Sequence, residues 1–269
     1  WTVTGRGTKA LRSAVMNHEI PVKSLDFISE KESGFRGVAV GGGYCILVLE
    51  SGWSDHPLVE GDPFDTSRLD IILKDVRYPD VVIEVLEKAD EFLDERFIAQ
   101  CHSGIESNLI SRDTEEDEIL CFDTPEGMDD PIRIVASKIQ GFEKWIEAEH
   151  TRHQGGGFWK VGTPLAAGRY NNGFGNLVVL GPRETCTGSY VTFRCHSEEE
   201  AHNLRAYLKT HFVEFFLELR RSNHIICGNA LKWVPLPDLS RKWADETLRA
   251  ENPFNISETS LEIVYEEVT

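Results

Sequence analysis

Apolar residues recur along this chain at two periods, and the change from one to the other marks its elements. Ala201, Leu204, Leu208, Phe212, Phe215, Phe216 and Leu219 return every three or four residues, which predicts one long amphipathic helix. Ser197 stands before it as an N-cap, and Glu198, Glu199 and Glu200 put negative charge at the favourable end of the helix dipole. Just upstream, Tyr190, Thr192 and Arg194 alternate with Val191, Phe193 and Cys195, a strand period. Downstream, Leu231–Pro237 reads as a buried segment, with Trp233 in the core and Lys232 packed beside it. The same reading predicts a helix over Thr8–Asn17, a strand over Val22–Ile28, and two strands around Gly41-Gly42-Gly43. The continuous apolar run Tyr44–Leu49 suits a strand covered on both faces. A short strand is expected at Leu69–Leu73, a helix over Asp80–Cys101, and a hairpin from Ile132–Ser137 and Phe142–Glu147. Further strands begin at Trp159 and run over Leu177–Leu180. Together these predict an α+β chain.

Composition narrows the class only a little. With 269 residues, 41% hydrophobic and 27% charged, the chain has material for a substantial core. No run approaches the roughly 18 apolar residues of a membrane helix, and nothing at the N-terminus resembles a signal peptide, so no membrane and a cytoplasmic setting are expected. The six cysteines, Cys45, Cys101, Cys121, Cys186, Cys195 and Cys227, form no CxxC pair and no zinc spacing. They read as buried, reduced thiols. His150 and His153 lack convergent third and fourth ligands, so no metal site is expected.

Net charge changes the picture more through its distribution than through its total of −17. Between Glu60 and Asp130, 22 acidic residues stand against six basic ones. Between Thr151 and Arg194 five basic residues stand against Glu184 alone. The first stretch, with its Glu115–Glu118 run, reads as a solvated acidic surface. The second is a basic island on glycine-bearing loops. It holds Arg152, His153, Gln154, Lys160, Arg169, Tyr170, Asn171, Asn172 and Arg183. Arginine pairs with guanine edges, Asn and Gln with adenine, and Lys, Arg and small hydroxyls with phosphates, so this inventory suits duplex DNA. Thr187, flanked by Thr185 and Ser189, adds candidate phosphate contacts. Arg220, Arg221, Asn223 and His224, with Asn229, form a second donor set after the long helix. Cations there also suit a helix C-terminus, so capping stands beside recognition for Arg220 and Arg221.

Two stretches carry a family resemblance. The first is Trp1, Gly5, Gly7, Phe35, Gly37, Val38, Gly42, Gly43, Tyr44 and Cys45 in that order. The second runs through Cys186-Thr187 with Tyr190, Ser197–Ala201, Tyr207–Thr210 with Phe212, Leu217 with Arg220, Ser222 and His224, and Lys232–Leu236. In combination they resemble the C-terminal, target-recognition region of restriction–modification DNA methyltransferases that modify the adenine exocyclic amine. The resemblance implies three segments. Residues 1–105 would be the last helix and strands of a methyltransferase-like α/β sheet, 106–240 a mixed α+β target-recognition domain, and 241–269 an acidic C-terminal tail or helix. It implies a bacterial or phage-encoded protein that binds double-stranded DNA and works with a catalytic half in cis or in trans.

The family's FxGxG cofactor loop and (N/D/S)-P-P-(Y/F/W) motif do not occur in this sequence. Gly41–Gly43 leads into a strand rather than a helix N-terminus, and Asp62-Pro63-Phe64 has a single proline in an acidic turn. No cofactor is therefore expected in this chain; S-adenosylmethionine would belong to the parent enzyme. The rival expectation is an acidic protein-interaction or DNA-mimic module of the anti-restriction type, built on the 60–130 segment.

Overall fold

Three sheets and the helices around them organise the chain in the computed structural model, which describes residues 14, 19–28, 44–54, 58–59, 62–63, 78–98, 122–136, 143–148, 157–166, 173–221, 225–226 and 228–266. The first sheet contains β1 (Val22–Ile28), β2 (Tyr44–Leu49), β3 (Leu58–Val59) and β4 (Asp62–Pro63), in the order β2-β1-β3-β4. The expected strands at 22–28 and 44–49 are both present and pair antiparallel, from Val22 opposite Leu49 to Ile28 opposite Tyr44. The second is not covered on both faces. It lies at the sheet edge, with Ile46, Val48 and Leu49 exposed at 46%, 40% and 60%. The expected helix at 8–17 and strand at 69–73 lie outside the described residues, apart from Ala14 in a helical position.

The remaining elements build around the sheet β5-β11-β8-β9, made of β5 (Phe97–Ile98), β11 (Tyr190–Cys195), β8 (Trp159–Pro164) and β9 (Val178–Leu180). β11 and β8 pair antiparallel along their whole length, Tyr190 opposite Pro164 and Cys195 opposite Trp159. Alternation therefore sends Val161, Thr163, Val191, Phe193 and Cys195 to one face, and Lys160, Gly162, Tyr190, Thr192 and Arg194 to the other. The first face meets α3 (Glu198–Tyr207) and α4 (His211–Arg220) in the main core. The second face carries Leu180 and Tyr190, which pack with Cys186, Val135 and Val178. This places it against the sheet β10-β6-β7, formed by β6 (Pro131–Ala136), β7 (Lys144–Glu147) and β10 (Glu184–Cys186). The β6–β7 hairpin is the one expected from 132–147. A Cβ at Gly162 would meet Leu180 Cδ1 and Val178 Cγ2 of the adjacent strand β9, each at 3.3 Å, so a larger residue there would push these side chains aside.

The apolar periodicity from 201 to 219 continues without interruption, yet the structure divides it into α3 and α4. Side-chain chemistry makes the break. Thr210 Oγ1 donates to Tyr207 O at 2.7 Å and accepts from Val213 N at 3.4 Å, closing one helix and capping the next. The Asp245 carboxylate accepts from His211 N at 3.1 Å and Phe212 N at 3.3 Å, satisfying the other free N–H groups of that turn. Ser197 caps α3 as expected, accepting from Glu200 N at 3.1 Å, while Glu200 reaches back to His196 N. Phe212, Val213, Phe215, Phe216, Leu217 and Leu219 are all buried, so α4 is enclosed on nearly every side.

The expected 80–101 helix is shorter. It comprises α1 (Pro79–Lys88), a single turn α2 (Leu93–Arg96), and then β5 on the edge of the central sheet. Between α1 and α2 the backbone bonds elsewhere: Leu93 N donates to Val234 O at 2.9 Å and Leu236 N to Glu91 O at 2.8 Å. The short helix α5 (Gly228–Leu231) leads into that segment, where Trp233 is buried as expected; Lys232 is exposed. The C-terminal stretch, expected as an acidic tail or helix, contains the helices α6 (Asp245–Glu251) and α7 (Glu258–Glu266). Leu248, Phe254, Ile256, Leu261 and Val264 join the same core as Val81, Val82, Val85 and Leu93. One core thus draws on all three segments expected from sequence, and 78–98 packs with 159–264 although it was expected to belong to the N-terminal sheet. Each apolar side chain buried this deeply contributes about 1.5–3 kcal/mol.

Glu84 fastens the two ends of this core. Its carboxylate accepts from Ser257 N (2.8 Å), Ser257 Oγ (2.9 Å), Ser260 Oγ (2.6 Å) and Lys88 Nζ (2.7 Å), tying α1 to the first turn of α7. Partial burial pushes the carboxyl up, but the bonds from Lys88, Ser260 and Ser257 outweigh it and hold the pKa at about 2, below the ordinary 4.5. The stabilisation is therefore complete above about pH 4.5 and is lost as pH falls towards 2. Glu84→Ala is expected to destabilise the fold by about 1–3 kcal/mol at neutral pH. Its denaturant midpoint should also depend less steeply on pH between 4.5 and 2 than that of the wild type. Parallel pH profiles of the two proteins would show the clamp to be unimportant.

Candidate nucleic-acid interface

Strand β8 links the described residues that border the expected DNA-contacting stretches of sequence. At the start of β8, Gly157 N donates to Pro182 O at 2.9 Å. The chain leaving 152–156 therefore enters the strand beside the β9–β10 turn, which carries Arg183. At the far end, Leu165 N donates to Ser189 O at 2.7 Å, Ile226 N donates to Leu165 O at 2.8 Å, and Ala166 bridges to Ile225. Arg221 Nη1 then donates to Gly173 O at 3.3 Å. The residues flanking 167–172 are thus joined on both sides to those flanking 222–224. In sequence the two donor sets stand about fifty residues apart. Arg152, Gln154, Arg169, Tyr170, Asn171, Asn172, Asn223 and His224 themselves lie outside the described residues.

The described members of the expected set divide by burial. Lys160 is fully buried on the inner face of β8, where its ammonium donates to Gly181 O at 2.9 Å and Phe158 O at 3.2 Å. Thr187 is also fully buried, and its hydroxyl shares a 2.8 Å hydrogen bond with Ser189. Neither can present its polar atom to a phosphate at the surface, and both belong to the frame. Thr185 is buried as well.

Arg220, 8% exposed, lies with its guanidinium carbon 4.5 Å from the Trp233 ring centroid. Arg221, 7% exposed, adds a 3.0 Å ion pair to Glu218 to its bond with Gly173. Both therefore pack at the end of α4 against the core, which suits a structural role for their side chains. Arg183 alone among the described members is exposed, paired at the surface with Asp130. Arg194 is also exposed and lies 5.3 Å from the Phe158 ring centroid.

A different concavity was not visible in the sequence. A groove of about 590 Å³ is lined by Asp90, Glu91, Arg96, Glu199, Glu200 and Asp238 among others, brought together from three distant stretches. Arg96 spans it, bonding Glu91 at 2.7 Å and Glu200 on the other wall. Burial pushes Glu200 up, but the His196 N–H and the Arg96 guanidinium outweigh it and keep the carboxyl below its ordinary range. Five carboxylates against one guanidinium give this groove an anionic wall. The Glu198–Glu200 run is visible in sequence as a dipole partner, but nothing local announces that 90–91 and 238 join it. Among the described residues no group of three or more His, Cys, Asp or Glu side chains converges as metal ligands.

Replacing Arg220 by Met removes the cation from the Trp233 face while keeping much of the packed length. We expect a loss of about 1–2 kcal/mol in denaturant unfolding with an unchanged m-value. A variant that unfolds at the wild-type midpoint would show that the Arg220–Trp233 contact does not hold the end of α4. In comparisons with protein-family models, with curated proteins and with solved structures, the chain matches none.

Proposed function

We propose that this chain binds a specific sequence of double-stranded DNA as the C-terminal, target-recognising part of an adenine-specific DNA methyltransferase of a restriction–modification system. Methyl transfer, and with it S-adenosylmethionine, belongs in this reading to a catalytic half acting in cis or in trans. The observation that carries the reading is the joining of the described residues that flank the two donor-rich stretches of sequence. The Ala166–Ile225 bridge and the Arg221–Gly173 bond bring the flanks of Arg169–Asn172 and of Asn223-His224 side by side. Donors on neighbouring loops, anchored to a packed frame, are what base-edge readout needs, because a misplaced bidentate contact discriminates poorly. The sequence motifs at 186–237 support the same reading.

The anionic groove favours a second one, in which the chain docks a basic protein surface or mimics DNA. Its five carboxylates would attract such a partner and repel a nucleic acid.

The readings separate in one set of binding measurements. Under the first, the chain binds duplex DNA with an affinity that falls steeply with salt and favours one sequence. Arg169→Ala and the pair Asn171→Ala, Asn172→Ala should then each reduce discrimination by about 1–3 kcal/mol per lost bidentate contact. Radiolabelled methyl transfer to DNA should appear only when a catalytic half is added. Binding to a nuclease or methyltransferase protein, with none to any duplex, would overturn the first reading in favour of the second.

A further inference from the structure

We infer that the β9–β10 turn, Gly181 to Glu184, holds Arg183 in place for a backbone phosphate of duplex DNA, that Lys160 and Glu184 are its positioning residues, and that Asp130 is the internal anion the phosphate displaces. The inference rests on the reading of the chain as a duplex-binding protein and adds a specific contact and its competitor.

The turn is held far more firmly than a surface hairpin requires. Its own closing bond, Glu184 N to Gly181 O, measures 3.1 Å. Lys160 Nζ donates to the same carbonyl at 2.9 Å, from a side chain with no exposed surface. Glu184 Oε2 accepts from Gly181 N at 2.8 Å, while its other oxygen bonds the Arg133 guanidinium. Pro182 O accepts from Gly157 N at 2.9 Å and Arg183 O from Arg133 N at 3.0 Å. Every carbonyl from Gly181 to Arg183 therefore has a donor from the turn itself or from a neighbouring element, and Pro182 fixes one φ angle. Burial pushes the Glu184 carboxyl up, but the Gly181 N–H, the Arg133 guanidinium and, least, the Lys160 charge outweigh it and keep it below its ordinary range.

What this frame presents is the Arg183 side chain, 62% exposed, and its partner Asp130 is 52% exposed. An ion pair this open to solvent contributes little, so a phosphate of higher charge density can replace the carboxylate without a large penalty. Asp130 is itself placed for the role. Its N–H donates to Glu147 Oε2 at 3.0 Å and its carbonyl accepts from Ala148 N at 3.0 Å. The competing carboxylate thus stands at a fixed site beside the arginine.

The test is fluorescence anisotropy of the full chain with a labelled duplex of randomised sequence, titrated across about 50–200 mM salt. Arg183→Ala is expected to weaken binding about 3–10-fold at the lower salt and to reduce the slope of log K against log salt by about one. Lys160→Met should show a comparable loss, and the double variant no further loss, since both act on one contact. Where Lys160→Met does not fold, Glu184→Gln takes its place. Asp130→Asn should tighten binding about threefold. A wild type that binds duplex while Arg183→Ala keeps its full salt slope would overturn the inference and leave the functional reading standing. A wild type that binds no duplex would overturn both.

Discussion

The central sheet must be covered twice, and the rest of the fold follows from that constraint. β11 is buried along nearly its whole length, with Arg194 as its exposed position. A four-stranded sheet with both faces apolar or closely packed cannot be completed by one layer of helices. The chain supplies α3 and α4 to one face and the sheet β10-β6-β7 to the other. Lys160 belongs to the second interface, and its burial there follows from strand alternation. Once Val161 faces the helices, residue 160 must face the other sheet.

That alternation also explains how much was legible in the sequence. Elements whose signal is local were readable. The Ser197 cap, the strand at 190–195, the hairpin at 131–147 and the burial of Trp233 all follow from neighbours in sequence. The misreadings share one cause, which is that a distant residue decides the outcome. The helix over 201–219 divides because Thr210 and the remote Asp245 cap a new start, while the apolar period runs on unchanged. The helix after Pro79 stops because 234–236 captures its backbone bonds. For 241–269, expected as an acidic tail or helix, nothing local announces that Leu248, Phe254 and Leu261 join the core.

The site was less legible than the frame, for a related reason. Residue type identifies a hydrogen-bond donor, but only tertiary structure decides whether that donor reaches solvent. Lys160 and Thr187 have the chemistry of phosphate ligands and spend it inside the fold on Gly181 and Ser189. Arg220 and Arg221 spend theirs on Trp233, Glu218 and Gly173. Conversely, the joining of the 166 and 225 stretches rests on backbone pairing, which leaves no trace in residue type. The anionic groove is hidden in the same way, since its walls come from 90–91, 199–200 and 238.

The Glu84 clamp bears on how the chain matures during synthesis. Its partners Ser257 and Ser260 lie 173 and 176 residues downstream. A ribosome adding about 5–20 residues per second takes roughly ten to thirty seconds to cover that interval. Throughout it, Val81, Val82 and Val85 have been made while much of the surface that will enclose them has not. The nascent protein therefore passes through a stage with the apolar face of α1 incompletely covered, and the emergence of α7 helps to end that exposure.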